Sequence, residues 1–97
     1  MNARVSLYEV APGGDVDAAV NGFEDAMEPL RSLEGHQGAT LLVSRESGKA
    51  ITITYWDTEE HLRSSVEQAN KLRQEAAEAG GLSIQSVDHY EVALETR

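Results

Sequence analysis

Along this chain, apolar residues recur at every second position in some stretches and at every third or fourth position in others. Residues 4–10 are rich in β-branched and aromatic side chains and precede a Pro-Gly-Gly turn, which predicts a first strand. The next apolar residues are spaced by four and three, the pattern of an amphipathic helix: Val16, Val20, Phe23, Met27 and Leu30. Asp15 is placed to cap this helix and Gly35 to end it.

A β-hairpin follows the first helix. Residues 38–44 and 49–56 predict two strands around a short turn that contains Gly48. In the second of these strands Ile51, Ile53 and Tyr55 point to one face, and the residues between them point to the other. Neither face is charged, so we expect both sides of this strand to be covered.

The last third of the chain predicts a second helix and a long strand. Asp57 with Glu60 predicts a capping box, and an apolar stripe follows it at helical spacing: Leu62, Val66, Ala69, Leu72 and Ala76. Gly80 and Gly81 end the helix, and residues 82–94 predict the final strand. The apolar positions change phase between Ile84 and Tyr90, which predicts a bulge or bend there.

This order of elements predicts an α+β class domain with a ferredoxin-like βαββαβ fold, a four-stranded antiparallel sheet with two helices on one face. The 97 residues are enough for a single domain, residues 1–97. Because two helices cover only one face of such a sheet, its other, uncharged face should pack against the sheet of a second copy about a two-fold axis. We therefore expect a homodimer.

Composition narrows the partners and the compartment. A net charge of −9 argues against nucleic acid, which is bound through basic patches. The absence of cysteine excludes disulfides and thiolate chemistry, and the histidines lack metal-ligand spacing, so we expect no metal site. No apolar run is long enough to span a membrane and the N-terminus does not resemble a signal peptide, so we expect no membrane partner and a cytoplasmic location.

Three segments together resemble a known family. They are residues 33–39, the linker Tyr55-Trp56-Asp57-Thr58-Glu59-Glu60, and residues 87–92. With their spacing, the chain resembles the antibiotic biosynthesis monooxygenase (ABM) domain of the dimeric α+β barrel group over nearly its whole length. The resemblance implies two ferredoxin-like subunits whose sheets form a barrel, with a ligand cavity between sheet and helices. It also implies oxygenase chemistry on a small aromatic or quinol-type ligand, with no cofactor.

The chain departs from the haem-degrading members of that family. Those members resemble one another in an Asn on the first strand, a Trp nine residues after the linker Trp, and a His about ten residues further on. Here these positions fall near Ser6, on Ser65, and on Gln74 or Glu75. Without that His there is no proximal iron ligand, so haem degradation is disfavoured. Quinol-oxygenase-like members often place a His where this chain has Ser65.

Several residues are candidates for a site. His89 is the favoured general base because its strand neighbours look buried, and Tyr55 is a candidate hydrogen-bond donor to a developing oxyanion. Four further residues are candidates for ligand binding: Trp56, Tyr8, Ser6 and Ser65. For the aromatic residues the competing interpretation is ordinary packing, and for His89 it is a surface or interface role. Arg4, Arg63 and Arg73 could neutralise an anionic substrate, although arginine is usually exposed.

Two functions remain open from the sequence. The first is a cofactor-independent, monooxygenase-like protein that binds a small aromatic or quinol-type ligand. The alternative is a non-catalytic dimer that binds a small ligand or another protein, because Ser65 replaces the helical His and no acid–base pair can be identified.

Overall fold

The computed structural model describes residues 1–96, so Arg97, the last residue of the predicted domain, lies outside the described residues. Within that range the chain forms four strands and three helices: β1 (Asn2–Val10), α1 (Val16–Arg31), β2 (His36–Ser44), β3 (Lys49–Trp56), α2 (Glu59–Ser64), α3 (Val66–Gly80) and β4 (Leu82–Glu91). The strands form one antiparallel sheet in the order β2-β3-β1-β4, with the helices packed on one face. The predicted ferredoxin-like α+β fold is confirmed.

The first helix begins as its sequence predicts. Asp15 is the N-cap, and its carboxylate accepts a hydrogen bond of 2.9 Å from the backbone N–H of Asp17. The cap satisfies one of the free N–H groups of the first turn. None of the helices within residues 1–96 has the length and hydropathy needed to cross a lipid bilayer.

The second predicted helix differs from expectation in two ways. Thr58, not Asp57, is the N-cap, and its hydroxyl accepts from the backbone N–H of His61 at 3.1 Å. The Asp57 carboxylate is instead bound to the Nδ1 atom of His61 at 2.6 Å, so the predicted capping box with Glu60 is wrong. The helix is also broken at Ser65 into α2 and α3.

The final strand contains the predicted bulge but is shorter than expected. Leu7 pairs with Ser86 and Tyr8 with Ile84, which leaves Gln85 as the extra residue of β4. The ladder ends where Glu91 pairs with Asn2, the first residue of β1. The Val92 N–H still donates to the Met1 carbonyl at 2.9 Å, but β4 ends at Glu91, so the predicted extension of the strand to residue 94 is wrong.

The core lies between the sheet and the helices. Its larger cluster joins Tyr8 of β1 to Phe23 of α1, whose rings meet edge to face at 5.1 Å between centroids. A second cluster contains Leu30, Trp56 and Leu62. The two layers are thus connected through aromatic side chains that the sheet directs toward the helices.

The opposite face of the sheet is apolar and open in the single chain. Leu7, Leu42 and Tyr90 on this face are 40%, 49% and 53% exposed. The half-buried side chains between them are also apolar: Val5, Ile51, Ile53 and Tyr55. Among residues 1–96, the charged strand residues on this face are Glu9 and Lys49 at one end and Asp88 on the edge strand β4. An apolar patch of this kind marks an interaction surface.

Candidate functional site

A cavity of about 50 Å³ lies between the sheet and the helices. Its floor is formed by side chains of β1 and β3 that alternate toward the helices: Arg4, Ser6, Tyr8, Thr52 and Thr54. Its other walls are largely apolar and come from α1, α3 and β2, with Phe23, Met27, Leu30 and Leu72 as the large members. At roughly 10–15 Å³ per water molecule, this volume holds a few waters or one small functional group.

The floor of the cavity presents buried hydroxyl groups. The Tyr8 hydroxyl lies 3.1 Å from Thr52 Oγ1, and both residues are buried, as is Ser6. Burial raises the pKa of Tyr8, an effect opposed by its hydrogen bonds to Thr52 and Ser6. Tyr8 is therefore protonated at neutral pH and can donate a hydrogen bond to a bound group.

Arg4 is the most constrained residue of the site. It is only 3% exposed, and its Nη2 atom donates to the Leu62 carbonyl at 2.8 Å and to Ser65 Oγ at 3.1 Å. Its Nε atom donates to His89 Nε2 at 3.2 Å, and its guanidinium lies 5.6 Å from the centre of the Trp56 ring. These contacts hold the guanidinium of β1 against α2, the start of α3 and β4.

A second guanidinium, that of Arg73 on α3, lines the same cavity. Its Nη1 atom donates to Asn70 Oδ1 at 2.7 Å. Within the described chain, neither Arg4 Nη1 nor Arg73 Nη2 has a hydrogen-bond partner, although both atoms are buried. Burial and the nearby charge of Arg73 lower the pKa of Arg4 to about 10, so both groups stay charged at neutral pH. The cavity therefore contains two cations.

His89 is held by Arg4 in its neutral form. Its Nε2 atom accepts from Arg4 Nε, so in this state that lone pair is not free to take a proton. His89 and its neighbours Asp88 and Tyr90 are exposed, so the expectation that its strand neighbours are buried is wrong. Loss of hydration where the ring meets the protein, followed by the charges of Arg4, Arg73 and Arg63, lowers the pKa of His89. His89 thus acts as a neutral acceptor that orients Arg4, with its own proton on Nδ1.

Sequence comparison finds relatives of this chain but no matching family. No protein-family model matches the sequence. The uncharacterized protein Rv2558 of Mycobacterium tuberculosis strain H37Rv is 34% identical over 93 residues, which are 95% of this chain and 39% of that protein. The chain thus spans about two fifths of the length of this curated relative.

Solved structures resemble the chain over almost its full length. SnoaB, a cofactor-independent oxygenase from Streptomyces nogalater, superposes with a TM-score of 0.71 at 19% identity, covering 98% of this chain and 94% of that one. The haem degrader MhuD of M. tuberculosis superposes at 0.75 with 19% identity, covering both chains completely. A structure of an antibiotic biosynthesis monooxygenase superposes at 0.61 with 14% identity, covering 89% and 97%.

The chain has the ABM fold. The resemblance seen in the linker and final strand is confirmed at the level of the fold by these superpositions. At identities below a fifth, a shared fold does not carry a shared reaction, so function must be argued from the cavity itself.

The ABM fold brings some of the predicted site residues together and separates others. Ser6 and Tyr8 line the cavity. Ser65, Trp56 and His89 lie one contact away from it, each reached through Arg4. Trp56 is fully buried and donates from Nε1 to Thr54 Oγ1 at 3.0 Å, so it lies beside the floor on the helix-facing side of the sheet. These five residues therefore form a group in or next to one cavity.

Tyr55 is not part of that group. It precedes Trp56 on β3 and pairs with Ala3 and Gly38, which places it on the open face of the sheet. The structure therefore does not bring Tyr55 and His89 together in the cavity of one chain. Gln74 and Glu75, which stand where haem degraders have a His, are exposed on α3 and do not line the cavity.

The sequence did not predict that Arg4 and Arg73 line the same cavity. The signal for Arg4 was its alternation with Ser6 and Tyr8, because side chains two apart share a face of a strand. The signal for Arg73 was its spacing of four from Ala69 on the apolar stripe of the helix.

Proposed function

We propose that this chain is a homodimeric ABM-fold protein that binds a small aromatic, quinol-type ligand between sheet and helices and oxygenates it without metal or flavin. The observation that carries the proposal is the cavity, whose hydroxyl-bearing floor of Ser6, Tyr8 and Thr52 faces an apolar wall that includes Phe23. An apolar lining with a few convergent polar groups is typical of small-molecule sites.

The chemistry needs little from the protein, since the ligand supplies the electrons. For a ring carbon next to a phenolic system the balance is R₂CH₂ + O₂ → R₂C=O + H₂O. One oxygen atom stays on carbon, the other leaves as water, and the ligand is oxidised while O₂ is reduced. The cations Arg4 and Arg73 favour the ionised, electron-rich form of the ligand, and the Tyr8 hydroxyl donates to its oxygen.

Access to the cavity runs between α1 and α3. A groove of about 240 Å³ lies on the outside of these helices, and Ala26 and Leu72 line both the groove and the cavity. Movement of the Leu72 side chain would join the two spaces. The combined volume approaches the few hundred Å³ that small-molecule sites occupy.

The dimer is supported by the apolar face of the sheet. Leu7, Leu42 and Tyr90 lie on the side away from the helices, with charges at the rim. Two such faces related by a two-fold axis are self-complementary, because each offers an apolar surface that covers the apolar side chains of the other. Packing them together removes both apolar patches from water.

Oxygen consumption with a panel of quinols and anthrones tests the proposal. We expect uptake by the native chain and a loss of roughly 10²-fold in Tyr8→Phe, as for removal of one donor to an oxyanion. Tyr90→Phe, on the open face, is the matched control and should retain uptake. A loss in Tyr55→Phe with Tyr8→Phe unaffected would move the site to the other face, and no uptake with any substrate would refute oxygenation.

One observation favours a non-catalytic ligand-binding dimer as the second candidate. The Nε2 lone pair of His89 is occupied by Arg4, and within residues 1–96 no histidine lines the cavity. Under this alternative, ligands raise the thermal unfolding midpoint without any oxygen uptake, because binding stabilises only the folded state.

A further inference from the structure

We propose that the ligand of this cavity is a small carboxylic acid, whose two carboxylate oxygens accept hydrogen bonds from Arg4 Nη1 and Arg73 Nη2. The inference rests on the cavity being the ligand site, as under the proposed function, and it specifies the charge of what binds there.

The first support is the free-energy cost of burying the Arg4 cation without an anion beside it. Arg4 is almost completely buried, and its Nη1 atom makes no hydrogen bond within the described chain. A buried cation is costly unless an opposite charge and hydrogen bonds compensate it. The hydrogen bonds that Arg4 does make go to a carbonyl, a hydroxyl and a neutral imidazole, none of which carries negative charge.

The second support is the distribution of carboxylates. The chain has 17 acidic residues and only 8 basic ones, so partners for two arginines are abundant in the sequence. Within residues 1–96 the arginines that pair with carboxylates are exposed: Arg31, Arg45 and Arg63. Arg4 and Arg73 form no such pair in that range, although they lie in the interior, where a pair would matter most.

The third support is the fit between the two free donors and a carboxylate. Water would satisfy the N–H groups but would leave two like charges facing one apolar space, and the charge of Arg73 already lowers the pKa of Arg4. A carboxylate supplies one negative charge and two acceptor oxygens in a plane. Its head group fits a cavity of about 50 Å³, and a larger body would extend past Leu72 into the groove.

The hydrogen bonds of Arg4 hold its guanidinium in place before a ligand binds. Arg4 is fixed by His89, Ser65 and the Leu62 carbonyl, so little side-chain entropy is lost when it binds. The hydroxyls of Ser6 and Tyr8 lie in the same lining and can donate to the acid as well. His89 is a positioning residue in this account, because it contacts Arg4 and not the ligand.

The test is thermal unfolding of the full chain at constant ionic strength, titrated with acetate and benzoate and with their neutral counterparts acetamide and benzamide. We expect both acids to raise the unfolding midpoint and both amides to leave it unchanged. Arg73→Gln should weaken the apparent affinity for benzoate by roughly ten- to hundredfold, the loss expected for one charge-assisted hydrogen bond. Arg63→Gln removes an exposed arginine paired with Glu59 and is the matched control.

The outcomes separate this inference from the proposed function. If acetate raises the unfolding midpoint and benzoate does not, the result supports the anion site and contradicts the proposal of an aromatic ligand. Equal stabilisation by benzoate and benzamide supports an aromatic site and overturns the anion inference. An unchanged midpoint with all four compounds, or equal benzoate affinities in Arg73→Gln and Arg63→Gln, also overturns it. Arg73 is half-buried, and within residues 1–96 its side chain makes a hydrogen bond only to Asn70, so its variant should fold even if an Arg4 variant does not.

Discussion

Arg4 and Ser65 are joined by a hydrogen bond of 3.1 Å across 61 positions of the chain. The same Arg4 Nη2 atom also donates to the Leu62 carbonyl, which lies at the break between α2 and α3. Ser65 Oγ donates to that carbonyl as well, at 2.7 Å. The helix break thus supplies acceptors that hold the guanidinium at the edge of the cavity.

Removing the Ser65 hydroxyl should destabilise the fold. We expect Ser65→Ala to lower the free energy of unfolding by about 1–2 kcal/mol, because a buried bond to a charged donor is lost. Urea denaturation measures this. The control is Ser64→Ala, whose exposed hydroxyl donates to the His61 carbonyl and should cost less than about 0.5 kcal/mol. Equal losses in the two variants would contradict the role given to Ser65.

The histidine at the start of α2 should make stability depend on pH. His61 lies between Asp57, at 2.6 Å, and Glu34, at 3.3 Å. The hydrogen bond to Asp57, supported by the charges of both carboxylates, raises the pKa of His61. The stabilisation from this group is therefore complete below the unfolded value of about 6.5 and is lost as the pH rises through the higher folded value.

Comparison with His61→Gln isolates this effect. The difference in free energy of unfolding between the native chain and the variant should shrink as pH rises from about 6 to 8. His36 and His89 are present in both proteins, so their lowered pKa values cancel in the difference. A difference that grew with pH would show that the sign assigned to His61 is wrong.

The pattern of the chain predicted the elements well but not their long-range contacts. The first helix, the hairpin and the bulge of β4 follow from local spacing, and the structure confirms them, although the first helix ends at Arg31 and not at Gly35. Asp57 and Thr58 are adjacent residues that can both cap a helix, and Thr58 takes the position because the Asp57 carboxylate is bound to His61. The break at Ser65 could not be predicted because part of its support, Arg4, comes from the other end of the chain.

The orientation of β1 was ambiguous for a different reason. Val5 and Leu7 are more apolar than Arg4 and Ser6, so hydrophobicity alone would turn the former pair toward the helices. The structure does the opposite and directs Arg4, Ser6 and Tyr8 inward. When both faces of a strand carry apolar side chains that must be buried, the local pattern does not determine which face meets the helices.

The open face can be tested with two adjacent residues of β2. Leu42 lies on the face proposed for the dimer and Val43 on the helix side, so Leu42→Glu and Val43→Glu add the same charge to opposite faces. We expect the native chain and Val43→Glu to sediment as dimers at micromolar concentration. Leu42→Glu should shift toward monomer, because a charge buried without a partner in the interface is costly. A native monomer, or equal behaviour of both variants, would contradict the sheet-to-sheet dimer.

Leu72 should control the size of ligand admitted. Leu72→Ala removes the side chain that separates the cavity from the groove between α1 and α3. We expect the apparent affinity for 2-naphthoate to rise relative to benzoate, measured by calorimetric titration. Leu33→Ala, at a half-buried leucine outside the cavity lining, is the control. An unchanged ratio of the two affinities would place the access route elsewhere.

The space between sheet and helices should receive an acid held by the two interior arginines. A crystal structure grown with benzoate tests it most directly. We expect density for the carboxylate within hydrogen-bond distance of Arg4 Nη1 and Arg73 Nη2, with the ring directed toward Leu72. Benzoate bound only on the outer surface, with side chains filling the cavity, would contradict it.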